Sequence, residues 1–365
     1  MPPRILSWRN ISPDFEIFIF VVAIRGPHPP GHETTMQSFG SDISETRLWE
    51  QYPDVLKTLL RDRTTGRNIF WATDSYAYRE EPGYQYSDPI TVEAVTRDGG
   101  RVICPRVLKS RGARQGRTRS MAEVFTPAWV CNLQNNIVDD EWFGRAGVFN
   151  TSPAGDERRW EPTQGPIAFP PGKTWRDYVR STRMEITCGE APYLVSRYDT
   201  TTGLAIALPR RVGMLDRKLR VVGENTKTED EWIAAAEDAF KATLAYEWQG
   251  DNLLLAREAL LVSFVEYFAY KFGGKTPPPE AVGRIADIVS WNVWQMDGLR
   301  GVVPGSCHNR VAGGTPQALE QEDCPGCRDN KVSQHNGIKC MLRDWGNTDP
   351  ETGEDRIICF IDLLK

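Results

Sequence analysis

Apolar positions recur at helical spacing in two long stretches. One covers residues 229–245 and the other 251–272, where Leu254, Leu255, Leu261, Val262 and Phe268 form a stripe to be buried and Asp251 stands ready to cap the first turn. A shorter helix is expected over 45–61 and another beginning in 121–138, with strand-like runs at 68–72 and 90–95. Residues 196–225 read as strands and turns, because Thr200-Thr-Thr-Gly203 and Pro209 interrupt any helix. The stretch 150–173 is rich in proline and glycine and reads as irregular, and the apolar runs at 338–342 and 357–361 read as a hairpin. Gly273-Gly-Lys-Thr-Pro-Pro-Pro279 is a loop; it lacks the upstream glycine that a phosphate loop requires.

At 365 residues, 40% hydrophobic and 25% charged, the chain can bury a sizeable core and fits two domains with appendages. No apolar run reaches membrane-spanning length, so no membrane partner and a cytoplasmic location are expected. The segment 15–24 is the only targeting-like run. Asp14 and Glu16 flank its start, no basic lead precedes it, and Arg25-Gly-Pro-His-Pro-Pro follows where a cleavage site would need small residues. It reads as a strand or extension, with residues 1–35 explicable as an over-extended gene start.

The net charge of −5 argues against indiscriminate coating of nucleic acid. Locally the balance reverses: residues 101–119 carry seven basic side chains and no acid, a loop suited to phosphate contacts. Arg210, Arg211, Arg217, Lys218 and Arg220 make a second basic cluster.

The most informative segment is Glu185-Ile-Thr-Cys-Gly-Glu-Ala-Pro-Tyr-Leu194, which reads as a strand end, a tight glycine turn and a helix start. Backbone amides at such a turn can face a ligand at the carboxyl end of a parallel strand. Upstream stands Ala122-Glu-Val-Phe125-Thr126-Pro127, and downstream Tyr246-Glu247-Trp248 leads into Leu255-Ala-Arg-Glu-Ala-Leu260. These three pieces, in this order, resemble the amino-methylating DNA methyltransferases of the adenine-N6 type, in particular proteins labelled restriction endonuclease subunit M, from about Thr46 onward. The resemblance implies an S-adenosylmethionine pocket. In it Phe125, Thr126 and Pro127 open the site, Cys188 and Gly189 face the methionine part, Glu185 supports the ammonium, and Glu247, beside Trp248, binds the ribose hydroxyls. Those roles suit the ligand, whose ammonium and diol call for carboxylates.

The same resemblance places the catalytic segment in Ala286-Asp-Ile-Val-Ser290-Trp291-Asn292-Val-Trp294, as a strand with a polar and aromatic ending. Both prolines of the family pattern are absent. Asn292, or Ser290 in the alternative frame, would accept hydrogen bonds from the target amino group, and Trp294 or Trp291 would stack on a base extruded from the duplex.

Eight cysteines divide into two groups. Cys104, Cys131, Cys188 and Cys359 are scattered and read as reduced thiols. Cys307, Cys324, Cys327 and Cys340 gather near the C-terminus with His308 and His335 among them, and the Cys324-Pro-Gly-Cys327 turn suggests a tetrahedral zinc site. The four cysteines are the first choice of ligands, with the two histidines as competitors.

The expectation is therefore an α/β protein: a Rossmann-like S-adenosylmethionine-dependent methyltransferase domain (121–300, with 196–225 inserted), preceded by an extension (1–41) and a small α+β domain (42–120), and followed by a zinc-clipped hairpin (301–365). The expected reaction is methyl transfer to adenine N6 in DNA, or cytosine N4, within a restriction-modification system that has a restriction or specificity subunit as partner. Alternatives are an RNA or protein acceptor, or a noncatalytic DNA-binding subunit that keeps the fold. No acidic cluster with nuclease spacing is present.

Overall fold

The computed structural model describes residues 6–7, 18–19, 43–121, 123, 125–308, 324–329 and 331–364. Most of the N-terminal extension and its targeting-like segment lie outside the described residues. Of it, β1 (Leu6–Ser7) and β2 (Phe18–Ile19) form an antiparallel pair.

The helix expected over 45–61 is two helices, α1 (Glu45–Gln51) and α2 (Pro53–Leu60). Pro53 cannot donate a backbone hydrogen bond, so it ends one helix and opens the next at a position where the missing N–H costs nothing. The runs at 68–72 and 90–95 are not strands. They contribute only single bridges, Arg61 to Asn68 and Phe70 to Pro89, and Thr91 caps α3 (Val92–Thr96). The basic stretch is likewise no loop: its second half forms α4 (Arg111–Met121), ahead of α5 (Ala128–Phe143).

A short antiparallel pair follows, β3 (Asn150–Thr151) with β4 (Glu161–Pro162), then α6 (Trp175–Arg180) and β5 (Arg183–Glu185). The region 196–225 keeps one bridge, Tyr198 to Ala205, but its last third is the helix α7 (Met214–Asn225). The helix-breaking residues all precede Gly213, which leaves the amphipathic run after it free to coil. Helix α8 (Glu229–Lys241) opens on a Thr228/Glu231 capping box and leads to β6 (Thr243–Glu247). Then come α9 (Gly250–Lys271), α10 (Pro279–Asn292) and β7 (Val293–Gln295). Residues 286–289, expected as strand, lie inside α10, where Ile285, Ala286, Ile288 and Val289 share its buried face. The tail holds α11 (Pro325–Asp329) and the hairpin of β8 (Met341–Thr348) with β9 (Asp355–Cys359), paired with Met341 opposite Cys359.

The protein is α/β, with small sheets. The central sheet is parallel, in the order β5-β6-β7, with Glu185 opposite Ala245 and Glu247 opposite Gln295. Side chains alternate across its two faces. Ala245 and Val293 point into a core built from α2 and α7 to α10, whereas Met184, Leu244, Tyr246 and Trp294 point to the other face. There they meet Cys340, Leu342, Phe360 and Ile361 from the tail. The hairpin is thus the second layer of the sheet. On the helical side, α2 packs against α9 and α10 within one continuous core that also takes in Trp71, Tyr84 and Ile103.

The second basic cluster is paired with acids and partly buried, not a free basic surface. Lys218 is fully buried and donates to the carbonyls of Ser181 and Ala242 at the starts of β5 and β6. Arg217 pairs with Asp139 at 2.6 Å, and Arg210, Arg211 and Arg220 pair with Glu161, Glu266 and Glu224.

Arg257, fully buried in α9, donates to the carbonyls of Leu59, Arg61, Ser290 and Val293. It joins the end of α2, the end of α10 and the start of β7. Arg257→Met should leave these carbonyls without their donor and lower stability in urea unfolding by about 3 kcal/mol or more. A change below about 1 kcal/mol would show that the guanidinium is not what ties these ends together.

Candidate cofactor site and a Cys/His cluster

The carboxyl ends of β5 and β6 carry the segment that stood out in the sequence. The Cys188 N–H donates to the Tyr246 carbonyl at 2.9 Å, and the chain then folds tightly, with the Ala191 N–H on the Cys188 carbonyl. Thr187, Gly189 and Ala191 all have positive φ, at 47°, 56° and 58°. Glycine takes this conformation freely, but for a β-branched threonine it stores strain of roughly 1–3 kcal/mol, the kind of cost found where a backbone is shaped for a ligand. No helix starts at Ala191, contrary to the expectation; a turn continues to Leu194, and α7 begins only at Met214. The loop therefore has no helix terminus behind it, and its Cys188 and Ala191 amides are bonded to main-chain carbonyls.

Two carboxylates flank this loop. Glu247 accepts from the Gly189 N–H at 2.9 Å and from the Gln249 N–H at 3.2 Å. Burial pushes its carboxyl up to about 7, against the lowering effect of those two amides. Glu185 is buried and accepts from the Tyr193 N–H at 3.4 Å, while its Oε2 has no hydrogen-bond partner. Burial, with a smaller contribution from Glu247, holds it well above the usual carboxylate range. Among the described residues neither acid has an ion-pair partner.

The other expected pocket residues gather around them. Phe125 is buried, its ring 3.5 Å from where a Cβ on Gly189 would stand, with the Arg106 guanidinium 5.1 Å from its centroid. The Thr126 carbonyl accepts from the Thr200 hydroxyl at 3.0 Å, and Pro127 leads into α5. Cys188 is buried and burial raises its thiol. Trp248 is half-buried and its indole N–H donates to the Tyr86 hydroxyl at 3.2 Å.

A neighbouring charged cluster went unread in the sequence. Arg117 of α4 is buried and pairs with Glu123 at 2.7 Å and Asp251 at 2.8 Å, and it also bonds Gln249 and Asn252. Lys109 reaches Asp251 at 3.1 Å, and Arg106 reaches Glu123 at 3.1 Å. Asp251 caps no helix; despite its burial, Arg117 and then Lys109 hold its carboxyl well below the usual range. Glu190 accepts from the Arg106 N–H at 2.6 Å and from the Tyr198 hydroxyl. The available signal was the density of acids around residue 250 set against the acid-free basic run, opposite charges that a fold can pair.

The residues expected to be catalytic are not at this end of the sheet. Asn292 closes α10 just before β7, so it stands at the amino ends of the parallel strands, roughly 10 Å of strand from the carboxyl ends. Its Nδ2 donates to the carbonyls of Phe240, Lys241 and Thr243, and its Oδ1 accepts from the Trp345 indole at 2.7 Å. Ser290 is buried under Arg63, which also stacks on Trp291 at 5.3 Å, and Trp294 is a core residue on the tail side of the sheet. All four hold the fold together. The residue at the carboxyl end of β7 is Gln295, whose amide is bonded to the Phe70 main chain and the Trp248 carbonyl.

The tail brings Cys307, Cys324, Cys327 and His335 together, their ligand atoms all within 4.8 Å of one another, a group able to hold a metal ion. Cys340 is not part of it. Its thiol is buried 3.5 Å from the Gln295 carbonyl, fixed there because Cys340 also donates its N–H to Gly301. His335 stands where Cys340 was expected.

No protein family, no curated protein and no solved structure matches the chain. Among the described residues no helix is long and apolar enough to cross a membrane.

The electrostatics of Glu247 can be measured. Its carboxyl binds a proton more tightly folded than unfolded, so it weakens the fold as pH rises from the ordinary carboxylate range to about 7, then stays constant. Glu247→Gln should match the unchanged protein near pH 4.5 and exceed it at pH 8 by up to about 3 kcal/mol, read from denaturant unfolding across that range. Equal pH dependence of the two proteins would show that Glu247 is not held as a buried acid.

Proposed function

We propose that this protein binds S-adenosylmethionine at the carboxyl ends of β5 and β6 and transfers its methyl group to an exocyclic amino group of DNA, adenine N6 in the first place. The reading rests on one observation above the others: Glu247, at the end of the middle strand, is hydrogen-bonded to the Gly189 amide of the turn that follows the neighbouring strand. A carboxylate so placed can turn to a ribose diol, and the same amide is then freed for the ligand. Glu185 fits the ammonium, because its Oε2 is a buried oxygen with no hydrogen-bond partner, which a cationic donor would supply. A cation there would also relieve the mutual repulsion of the two acids.

Bound in this way, the cofactor supplies an electrophilic methyl group, and the protein's task is positioning. Phe125 closes one side against Gly189, and Thr126 with the Cys188–Gly189 backbone borders the methionine end. Arg106, Lys109 and Arg117, drawn onto Glu123 and Asp251 beside the pocket, set the start of the basic stretch and α4 along its rim, where a phosphate backbone could run. The acceptor amino group would be held by groups on this rim or by a partner subunit, not by Asn292.

A second reading has a specific observation in its favour. Because Asn292, Ser290 and Trp291 are engaged in the fold at or before the amino end of β7, and Trp294 is buried within β7 on the tail side of the sheet, the chain can be a cofactor-binding DNA subunit without transfer activity, working with a specificity or nuclease partner.

Calorimetric titration with S-adenosylmethionine should show affinity rising with pH through about 7 and levelling above it, about tenfold weaker at pH 6 than pH 8, because only the ionised Glu247 accepts both ribose hydroxyls. Glu247→Gln should flatten that profile. Incubation with methyl-labelled cofactor and unmethylated DNA, followed by nucleoside mass spectrometry, should give labelled N6-methyladenine. Binding without labelled nucleoside selects the second reading, and no binding at any pH sinks both.

A further inference from the structure

We infer that Cys307, Cys324, Cys327 and the Nδ1 of His335 form a closed, structural zinc site. Zinc bonds of about 2.3 Å to sulfur and 2.0–2.1 Å to nitrogen, at tetrahedral angles, separate a sulfur and a nitrogen ligand by about 3.5–3.6 Å. The His335 Nδ1 stands 3.5 Å from the Sγ of Cys307, 3.5 Å from that of Cys324 and 3.5 Å from that of Cys327. One nitrogen equidistant from three thiols is the vertex of such a tetrahedron. Hydrogen bonding alone does not account for it, since a single Nδ1 offers one donor or one acceptor and cannot serve three thiols. Ligand atoms so close share one ion and cannot straddle a multi-iron cluster, and three thiolates with one imidazole select zinc over the hard cations.

The surroundings are built for it. A Cβ on Gly326 would stand 2.5 Å from the His335 amide nitrogen, and one on Gly337 would stand 2.6 Å from the Ser306 hydroxyl and 3.1 Å from the Cys307 sulfur. Both glycines are therefore needed for the strands to close on the site. The Asn336 N–H points at the Cys324 sulfur at 3.3 Å, a bond that stabilises a thiolate. Four protein ligands leave no open position, which makes the role structural.

The site also has a place to act. The two ligand-bearing segments are joined to each other and to the end of β7, through Asp297 to Val302, Val303 to Ile338 and Cys340 to Gly301 backbone bonds. From there the chain runs directly into the hairpin that covers the second face of the sheet. The metal thus clamps the segments that carry Cys307, Cys324, Cys327 and His335 as the root of that cover. This inference is independent of the proposed methyl transfer.

Full-length protein expressed with zinc and purified without chelator should contain about one zinc per chain by plasma mass spectrometry. Its zinc absorption edge should show three sulfur neighbours and one nitrogen. Cys324→Ser should lose the metal, whereas His335→Cys and Cys340→Ser should keep it; these two keep the test open if the serine variant fails to fold. Chelation should open residues 301–308 and 331–340 to proteolysis before the central sheet and its helices. Less than about a tenth of an equivalent of zinc, loss of zinc in Cys340→Ser equal to that in Cys324→Ser, or zinc removable with no change in proteolysis would overturn the site.

Discussion

The arrangement depends on one buried cation. Arg257 sits in the middle of the longest described helix, and its guanidinium spans the gap where α2 ends, α10 ends and β7 begins. Helix ends leave carbonyls without partners, and burying them unpaired is expensive. A planar group with five donors can satisfy several at once, which a lysine or a water cannot do with the same rigidity. That junction fixes the start of β7, and with it the register that sets Gln295 opposite Glu247. Lys218 does the same work at the amino ends of β5 and β6.

With the strands so placed, the period-two alternation of their side chains creates two hydrophobic faces, and each must be covered. Helices cover one. The other, bearing Met184, Tyr246 and Trp294, is covered by the C-terminal hairpin and the residues around Phe360. The tail has little apolar content of its own before Ile338, so a clip at Cys307, Cys324, Cys327 and His335 suits a segment that must be rigid without a core.

The carboxyl ends of the strands, by contrast, collect buried acids. Glu123 and Asp251 are neutralised by Arg106, Lys109 and Arg117, while Glu185 and Glu247 are buried with backbone amides alone. Buried acids held above their ordinary pKa next to a strained turn are a common mark of a ligand site. They suit a ligand bearing an ammonium and a diol. The opposite edge, occupied by Asn292 and its three carbonyl partners, is fully bonded and has nothing left for chemistry.

Much of the framework was legible in the residues. The apolar periodicity of 229–245 and 251–272 located α8 and α9, the tail runs located a hairpin, and the acid-cysteine-glycine segment located the turn at the end of β5. Local sequence fails elsewhere for identifiable reasons. Residues 286–289 favour a strand by composition, yet their apolar spacing also fits a helix face, and packing against α2, α8 and α9 decided for the helix. The basic residues at 210–220 look like a surface until Asp139, Glu161, Glu224 and Glu266 arrive from distant segments to pair with them. On spacing Cys340 is preferred to His335 as the fourth ligand, and only the backbone pairing of Cys340 with Gly301 turns its thiol away. The sequence by itself determined which residues could carry charge, coordinate metal or break helices, because these are properties of single side chains and their near neighbours. Tertiary structure alone decided which of them meet, since burial, ion pairing and strand order depend on contacts between residues far apart in the chain.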